Sequence, residues 1–198
     1  MVNYRLHHGN FLESILYIET NLGNGTGFIF NPQGYAVTCA HVIKNAAEIF
    51  VRIGTQADAI QKAHVVACDT QADIAILRID GDGYYSAAID LESPVVLGDE
   101  VIILGYPFGS KVADDVMGMS VSFTRGYISS RQIKDGLARV LLDVSAKAGN
   151  SGSPVLSRKS GKVIGILCGS MVNKSSKVLI EEINYMSPIG YITRMMTD

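Results

Sequence analysis

Short apolar runs, rich in β-branched and aromatic residues and broken at close intervals by Gly, Asn, Asp and Pro, constrain this chain more than any other feature. A dozen recur: Ser14–Thr20, Thr26–Phe30, Tyr35–Cys39, Glu48–Ile53, Ala63–Cys68, Ile74–Ile79, Glu100–Tyr106, Val121–Ser129, Leu137–Val144, Pro154–Leu156, Val163–Gly169 and Lys177–Met186. Such residues fit the pleated, half-buried surface of a sheet, and strands at this spacing argue for an all-β sandwich or barrel. Asn31-Pro32-Gln33-Gly34 reads as a turn between two of them. Only the end departs from the pattern. Ser187 is placed to cap a helix and Pro188 to open it, at a position whose N–H would be unbonded anyway. Ile189, Ile192 and Met195 or Met196 then share one face. The weakly patterned Tyr84–Pro94 reads as a link between two halves. Phe108–Met119, with Gly, Ser, Lys and two Asp, reads as an exposed loop of the kind that carries function.

The chain has 198 residues, 47% hydrophobic and 18% charged, enough for one compact core. A net charge of −2 leaves no basic excess to neutralise phosphates, so no nucleic-acid partner is expected. No apolar run nears the roughly 20 residues of a membrane span, so no membrane partner is expected either. The start, Met1 to His8, lacks the charged segment and apolar stretch of a secretory leader. Cys39, Cys68 and Cys168 are odd in number and sit in apolar, strand-like stretches. They read as buried free thiols, which with the leaderless start gives a cytoplasmic expectation. No Cys/His cluster has metal-site spacing, so neither metal nor organic cofactor is expected. His7 and His8 read as part of a solvated arm and His64 as lying on the polar face of a strand.

Three stretches carry chemistry. In Ala148-Gly149-Asn150-Ser151-Gly152-Ser153-Pro154, small residues flank a serine on a tight turn between two β runs. Acyl transfer needs such a turn: the hydroxyl must project, the backbone must approach the substrate, and N–H groups must converge on a developing oxyanion. The turn Gly149-Asn150-Ser151 is the expected oxyanion hole, with the N–H groups of Gly149 and Ser151 as donors. In Val37-Thr38-Cys39-Ala40-His41-Val42, an apolar strand runs into a single histidine, which alone would more often be a packed core residue. In Asp73-Ile74-Ala75-Ile76-Leu77, an aspartate opens a wholly apolar strand, the setting for a buried carboxylate that orients an imidazole. Each piece alone is ambiguous; together, in the order His, Asp, Ser, they form a candidate catalytic triad of His41, Asp73 and Ser151.

With these pieces in place, the chain resembles the chymotrypsin-like (trypsin-like) serine proteases, most closely the HtrA/Deg type. The resemblance runs through Gly25-Thr26-Gly27-Phe28-Ile29, Thr38-Cys39-Ala40-His41, Asp73–Leu77, Leu104-Gly105-Tyr106-Pro107-Phe108-Gly109, Gly149–Pro154, Val163-Ile164-Gly165-Ile166 and Asn184–Ile189. It implies two six-stranded antiparallel β-barrels with a short C-terminal helix, forming a single peptidase domain. Residues 1–90 would carry His41 and Asp73, and residues 95–198 would carry Ser151. It implies a serine endopeptidase acting through an acyl-enzyme on protein or peptide substrates, with an activating partner or flanking domain left open. It lines the substrate pocket with Ser145, Ala146, Lys147 and Ala148, and with Leu167, Cys168, Gly169 and Ser170. It also makes Phe108–Met119 a regulatory loop. Departures exist. Ser153 stands where the family has Gly and is a rival nucleophile. Asn150 stands where zymogens of the trypsin type have an Asp, so activation by N-terminal clipping is not expected. Ser145 provides no counter-charge at the pocket base, which points to small or medium apolar side chains at the cleavage position, while Lys147 either favours acidic groups there or points to solvent. The 198 residues carry no PDZ segment, so the quality-control role of typical HtrA proteins is not expected. The alternative reading is a catalytically silent module that grips peptides on the same fold.

Overall fold

The computed structural model describes residues 11–54, 59–107, 120–172 and 179–196. His7, His8 and the expected regulatory loop Phe108–Met119 lie outside the described residues. Twelve strands close into two barrels of six. The first contains β1 (Ile15–Thr20), β2 (Gly23–Asn31), β3 (Tyr35–Thr38), β4 (Ile49–Ile53), β5 (Ile60–Asp69) and β6 (Ile74–Ile79). The second contains β7 (Glu100–Gly105), β8 (Ser122–Lys134), β9 (Leu137–Asp143), β10 (Pro154–Ser157), β11 (Val163–Val172) and β12 (Leu179–Pro188). The two barrels share one antiparallel topology. Their strand orders are β1-β2-β3-β6-β5-β4 and β7-β8-β9-β12-β11-β10, although no sequence repeat announces it. β4 pairs back to β1 and β10 to β7, so closure leaves neither barrel with a free edge.

Why several strands are apolar at every position follows from where they lie. In β6, Ala75, Leu77 and Ile79 fill the first barrel, while Ile74 and Ile76 face the seam between barrels. In β7, Val101 and Ile103 fill the second barrel, and Ile102 and Leu104 face the same seam. Successive side chains point to opposite faces, so a strand with packing on both sides loses its polar alternation. Asp73 opens such a strand, at the end of the seam.

The described residues also hold two short helices, α1 (Ala40–Ile43) and α2 (Tyr191–Met195). His41 therefore lies in a helical turn, not at the end of a strand. The expected start of the last helix is also displaced. Ser187 and Pro188 are the last residues of β12, and Gly190 is the N-cap of α2. The Ser187 hydroxyl is used across the seam, on the Ala72 carbonyl, so it does not cap. Ile189 and Ile192 do pack together in the seam, and Arg194 of α2 pairs with Asp69 on the first barrel at 2.7 Å. Within the expected link, Ala87 N–H bonds Ile29 of β2 and Ile89 bridges Val163 of β11, so the connection is packed on both barrels. Cys39 and Cys168 are buried as expected, but Cys68 is exposed. It lies on β5, where His64, Val65 and Val66 are exposed in succession beside a shift in register. Among the described residues no helix is long and apolar enough to cross a membrane.

Candidate active site

His41 is held by backbone and side chain together. Cys39, in extended conformation, precedes α1 and lets the chain turn. The His41 N–H then donates to Asp73 Oδ1 at 2.9 Å, and Nδ1 lies 2.8 Å from Asp73 Oδ2. An ionised carboxylate only accepts, so the proton of this contact belongs to Nδ1, which in the neutral ring leaves the lone pair on Nε2. The carboxylate is 14% exposed at the side chain and the imidazole 46%, so the pair has a sheltered end and an open end.

Asp73 adopts φ 57°, a left-handed conformation that a non-glycine residue visits rarely. The preceding turn is tied down by Asp69, whose Oδ1 accepts the N–H groups of Gln71 at 2.9 Å and Ala72 at 2.8 Å. Partial burial alone would raise the Asp69 pKa. The Ala72 N–H, the Arg194 guanidinium and the Gln71 N–H outweigh it and hold the carboxyl below its ordinary value.

Ser151 sits on a turn shaped by two glycines with positive φ, Gly149 at 94° and Gly152 at 92°. Gly152 has no alternative. A Cβ there would lie 1.9 Å from the Thr26 carbonyl oxygen and 2.4 Å from Thr38 Oγ1. The first barrel grips the turn through fully buried Thr26. Its N–H donates to the Ser151 carbonyl at 2.8 Å and its Oγ1 donates to the Gly149 carbonyl at 2.7 Å. From the second barrel, the Gly152 N–H donates to Leu167 O at 2.7 Å. Among the described residues, the N–H groups of Gly149 and Ser151 donate to no protein acceptor.

His41 and Ser151 both line a cleft of about 430 Å³ and a smaller one of about 180 Å³. No hydrogen bond joins the two side chains among the described residues; such bonds are often long before substrate arrives. The larger cleft is walled by Ala146, Lys147 and Ala148 on one side and by Leu167, Cys168 and Gly169 on the other. One expected pocket residue, Ser145, is exposed and is not among the described residues that line the cleft. For Ser170 only the backbone is described, paired with Asn184. Asn184 itself was missed. It is fully buried, lines the cleft and donates Nδ2 to Val144 O at 2.7 Å. The one sequence signal for it is an amide inside the apolar run Ile183 to Met186.

The rival nucleophile is removed from contention. Ser153 is 0% exposed, and its Oγ lies over Gly105, where a Cβ would approach it to 2.1 Å. Neither Ser153 Oγ nor Asn150 Oδ1 has a partner among the described residues. Cysteine chemistry is disfavoured too. Burial first, then the Cys168 thiol and the Asp73 carboxylate, push the Cys39 thiol well above its usual value, so it stays protonated and inert. Cys39, His41 and Asp73 do bring a sulfur, a nitrogen and an oxygen within 4.8 Å of one another. That donor set would suit zinc, but both Asp73 oxygens are engaged by His41 and the Cys39 thiol stays protonated, donating to Leu167 O.

The model of one family, the trypsin-like peptidase domain, matches residues 25–166. The chain is 33% identical over 146 residues, 72% of its length, to a probable periplasmic serine endoprotease DegP-like of Pseudomonas savastanoi. It is 34% identical over 156 residues to the chloroplastic Protease Do-like 1 of Arabidopsis thaliana. It spans only 28% and 34% of those two relatives. Among solved structures, the serine endoprotease from Yersinia pestis superposes with a TM-score of 0.75 at 24% identity, covering 95% of this chain and 63% of that one. The HtrA-type protease AlgW with tripeptide gives 0.76 at 22% identity, covering 95% and 60%. The relatives' names place them in the periplasm and the chloroplast, which lends the cytoplasmic expectation no support.

Proposed function

The chain belongs to the trypsin-like peptidase domain family, and from that premise we propose that it is a serine endopeptidase whose triad is His41, Asp73 and Ser151. Ser151 Oγ attacks the scissile carbonyl while His41 Nε2 takes its proton and later returns it to the leaving amine. Asp73 keeps the imidazole proton on Nδ1 and stabilises the ring once it is charged. The N–H groups of Gly149 and Ser151 receive the oxyanion, and one such donor contributes on the order of 2.7–4 kcal/mol. The observation that carries the reading is the double contact of Asp73 with His41, at 2.9 and 2.8 Å, beside a turn that holds Ser151 and two N–H groups that donate to no acceptor among the described residues.

The cleft supports a preference for small or medium apolar side chains before the cut bond. Ala146, Ala148, Leu167 and Gly169 line it, and among the described residues that line it no carboxylate could pair a lysine or arginine. Control by residues 108–119 rests on the composition of that segment and the family resemblance. Replacing it with a short Gly-Ser link and finding unchanged turnover would remove that part of the proposal.

The test is a fluorophosphonate probe followed by intact mass and peptide mapping. We expect one adduct on Ser151, with loss of fluoride, and none in Ser151→Ala. Persistent labelling of Ser151→Ala, or a parent inert to the probe with and without cell extract as a source of activator, would overturn the reading in favour of a silent peptide-binding module.

A further inference from the structure

We propose that Arg139, a residue of the second barrel, is a positioning residue for Asp73, acting through the backbone carbonyls of Gln71 and Ala72. The inference rests on the endopeptidase reading above. Arg139 lies in β9, half-buried, and its guanidinium leaves its own barrel. Nη1 donates to Ala72 O at 3.1 Å and to Ser187 Oγ at 2.9 Å, and Nη2 donates to Gln71 O. The guanidinium stands 5.1 Å over the Tyr185 ring, which fixes its approach. No carboxylate is bonded to it among the contacts described. The fork is spent on two consecutive carbonyls of another barrel, a geometry that a planar, rigid donor set can meet and a lysine ammonium cannot.

Those carbonyls belong to the two residues before Asp73. Their N–H groups are taken by Asp69 at 2.9 and 2.8 Å, and the Ser187 hydroxyl adds a second donor to Ala72 O. The turn is thus gripped on its N–H side by the first barrel and on its C=O side by the second. The next residue is the one held at φ 57°. A side chain stays in that region only where its surroundings over-determine it. Without Arg139, the Gln71 carbonyl loses the donor described for it and the Ala72 carbonyl keeps only the Ser187 hydroxyl, so the peptide planes leading into Asp73 are held from one point instead of three. The backbone then relaxes toward common φ values, and the carboxylate swings off His41. Both Asp73 oxygens are committed to His41, so a small rotation breaks the contact.

The test compares Arg139→Met and Arg139→Lys with the parent. Two readouts separate positioning from simple loss of stability. The first is the low-field proton NMR resonance of the imidazole proton shared by His41 Nδ1 and Asp73, assigned by its loss in Asp73→Asn. The second is fluorophosphonate inactivation, resolved into its maximal rate and its half-saturating probe concentration. For Arg139→Met we expect loss of the resonance and a maximal rate about 100-fold lower, the penalty of a roughly 1 Å misplacement, with half-saturation little changed. Arg139→Lys, whose ammonium keeps its donors on a single nitrogen and cannot span both carbonyls as the fork does, should recover about a tenth of the parent rate. A folded Arg139→Met that keeps the resonance and labels within threefold of the parent overturns the proposal, whatever its melting temperature. If Arg139→Met does not fold, Arg139→Lys is judged by the same two readouts. A parent that never labels sinks the endopeptidase reading, and the resonance alone then decides the role of Arg139.

Discussion

Replacing Thr26 with valine tests whether the first barrel holds the nucleophile turn by hydrogen bonds or merely by shape. Thr26 is 0% exposed; its Oγ1 donates to Gly149 O at 2.7 Å and accepts the Tyr106 N–H at 3.0 Å. Valine nearly matches threonine in volume, so packing alone predicts little change. It removes the hydroxyl, however, and orphans a carbonyl and an N–H in a water-excluded seam. Each orphaned buried group costs about 1–3 kcal/mol, and the added methyl returns under about 1 kcal/mol. Two such groups less that return give a net loss of about 1–5 kcal/mol. With a urea dependence of about 2 kcal/mol per molar for a domain of this size, the unfolding midpoint should fall by about 0.5–2.5 M. Thr26→Ser, which keeps the hydroxyl and loses a methyl, should cost only about 1 kcal/mol. The order is the inverse of a volume argument. Urea unfolding of the two variants checks it, alongside fluorophosphonate labelling. A midpoint for Thr26→Val at or above that of Thr26→Ser would refute the reasoning, because the seam would then tolerate both orphans.

Ser153→Ala deletes a buried hydroxyl without a partner and keeps the Cβ, so it should be neutral or stabilise by up to about 2 kcal/mol in urea unfolding. It should also leave the adduct on Ser151 intact. Asp69 has a lowered folded pKa, so the stability it contributes is complete above the ordinary carboxylate value near 4 and is lost as pH falls through the lower folded value. Asp69→Asn should therefore flatten the decline of unfolding free energy between about pH 5 and 2, and an unchanged slope would remove Asp69 from that account. An aromatic disulfide reagent should titrate one thiol in the native protein, exposed Cys68, and reach Cys39 and Cys168 only on unfolding. Rapid reaction of all three would contradict the burial of the seam.

Much of the architecture was legible because burial on one or both faces writes directly into strand composition. Ile74–Ile79 is a strand between the same two residues in sequence and structure, since both its faces meet apolar neighbours. Local signals failed where a distant partner outbid them. Ser187 has the chemistry of a helix cap, and Pro188 that of a first helical residue. Yet the serine hydroxyl goes to Ala72, 115 residues away in sequence, and the helix begins beyond Gly190. Cys68 reads as core beside Val65 and Val66, but that stretch of β5 turns its apolar side chains outward. The same division runs through the candidate site. His41, Asp73 and Ser151 stand out because each sits in a short stretch whose local chemistry is unusual. Thr26, Arg139 and Asn184 do not, because what they do depends on which carbonyl another strand presents to them. A polar side chain in a strand is locally indistinguishable whether it faces water or a carbonyl of the opposite barrel; only the closed topology decides. The groups that would react are therefore readable one by one, whereas the groups that hold them belong to the seam and exist only once both barrels have formed.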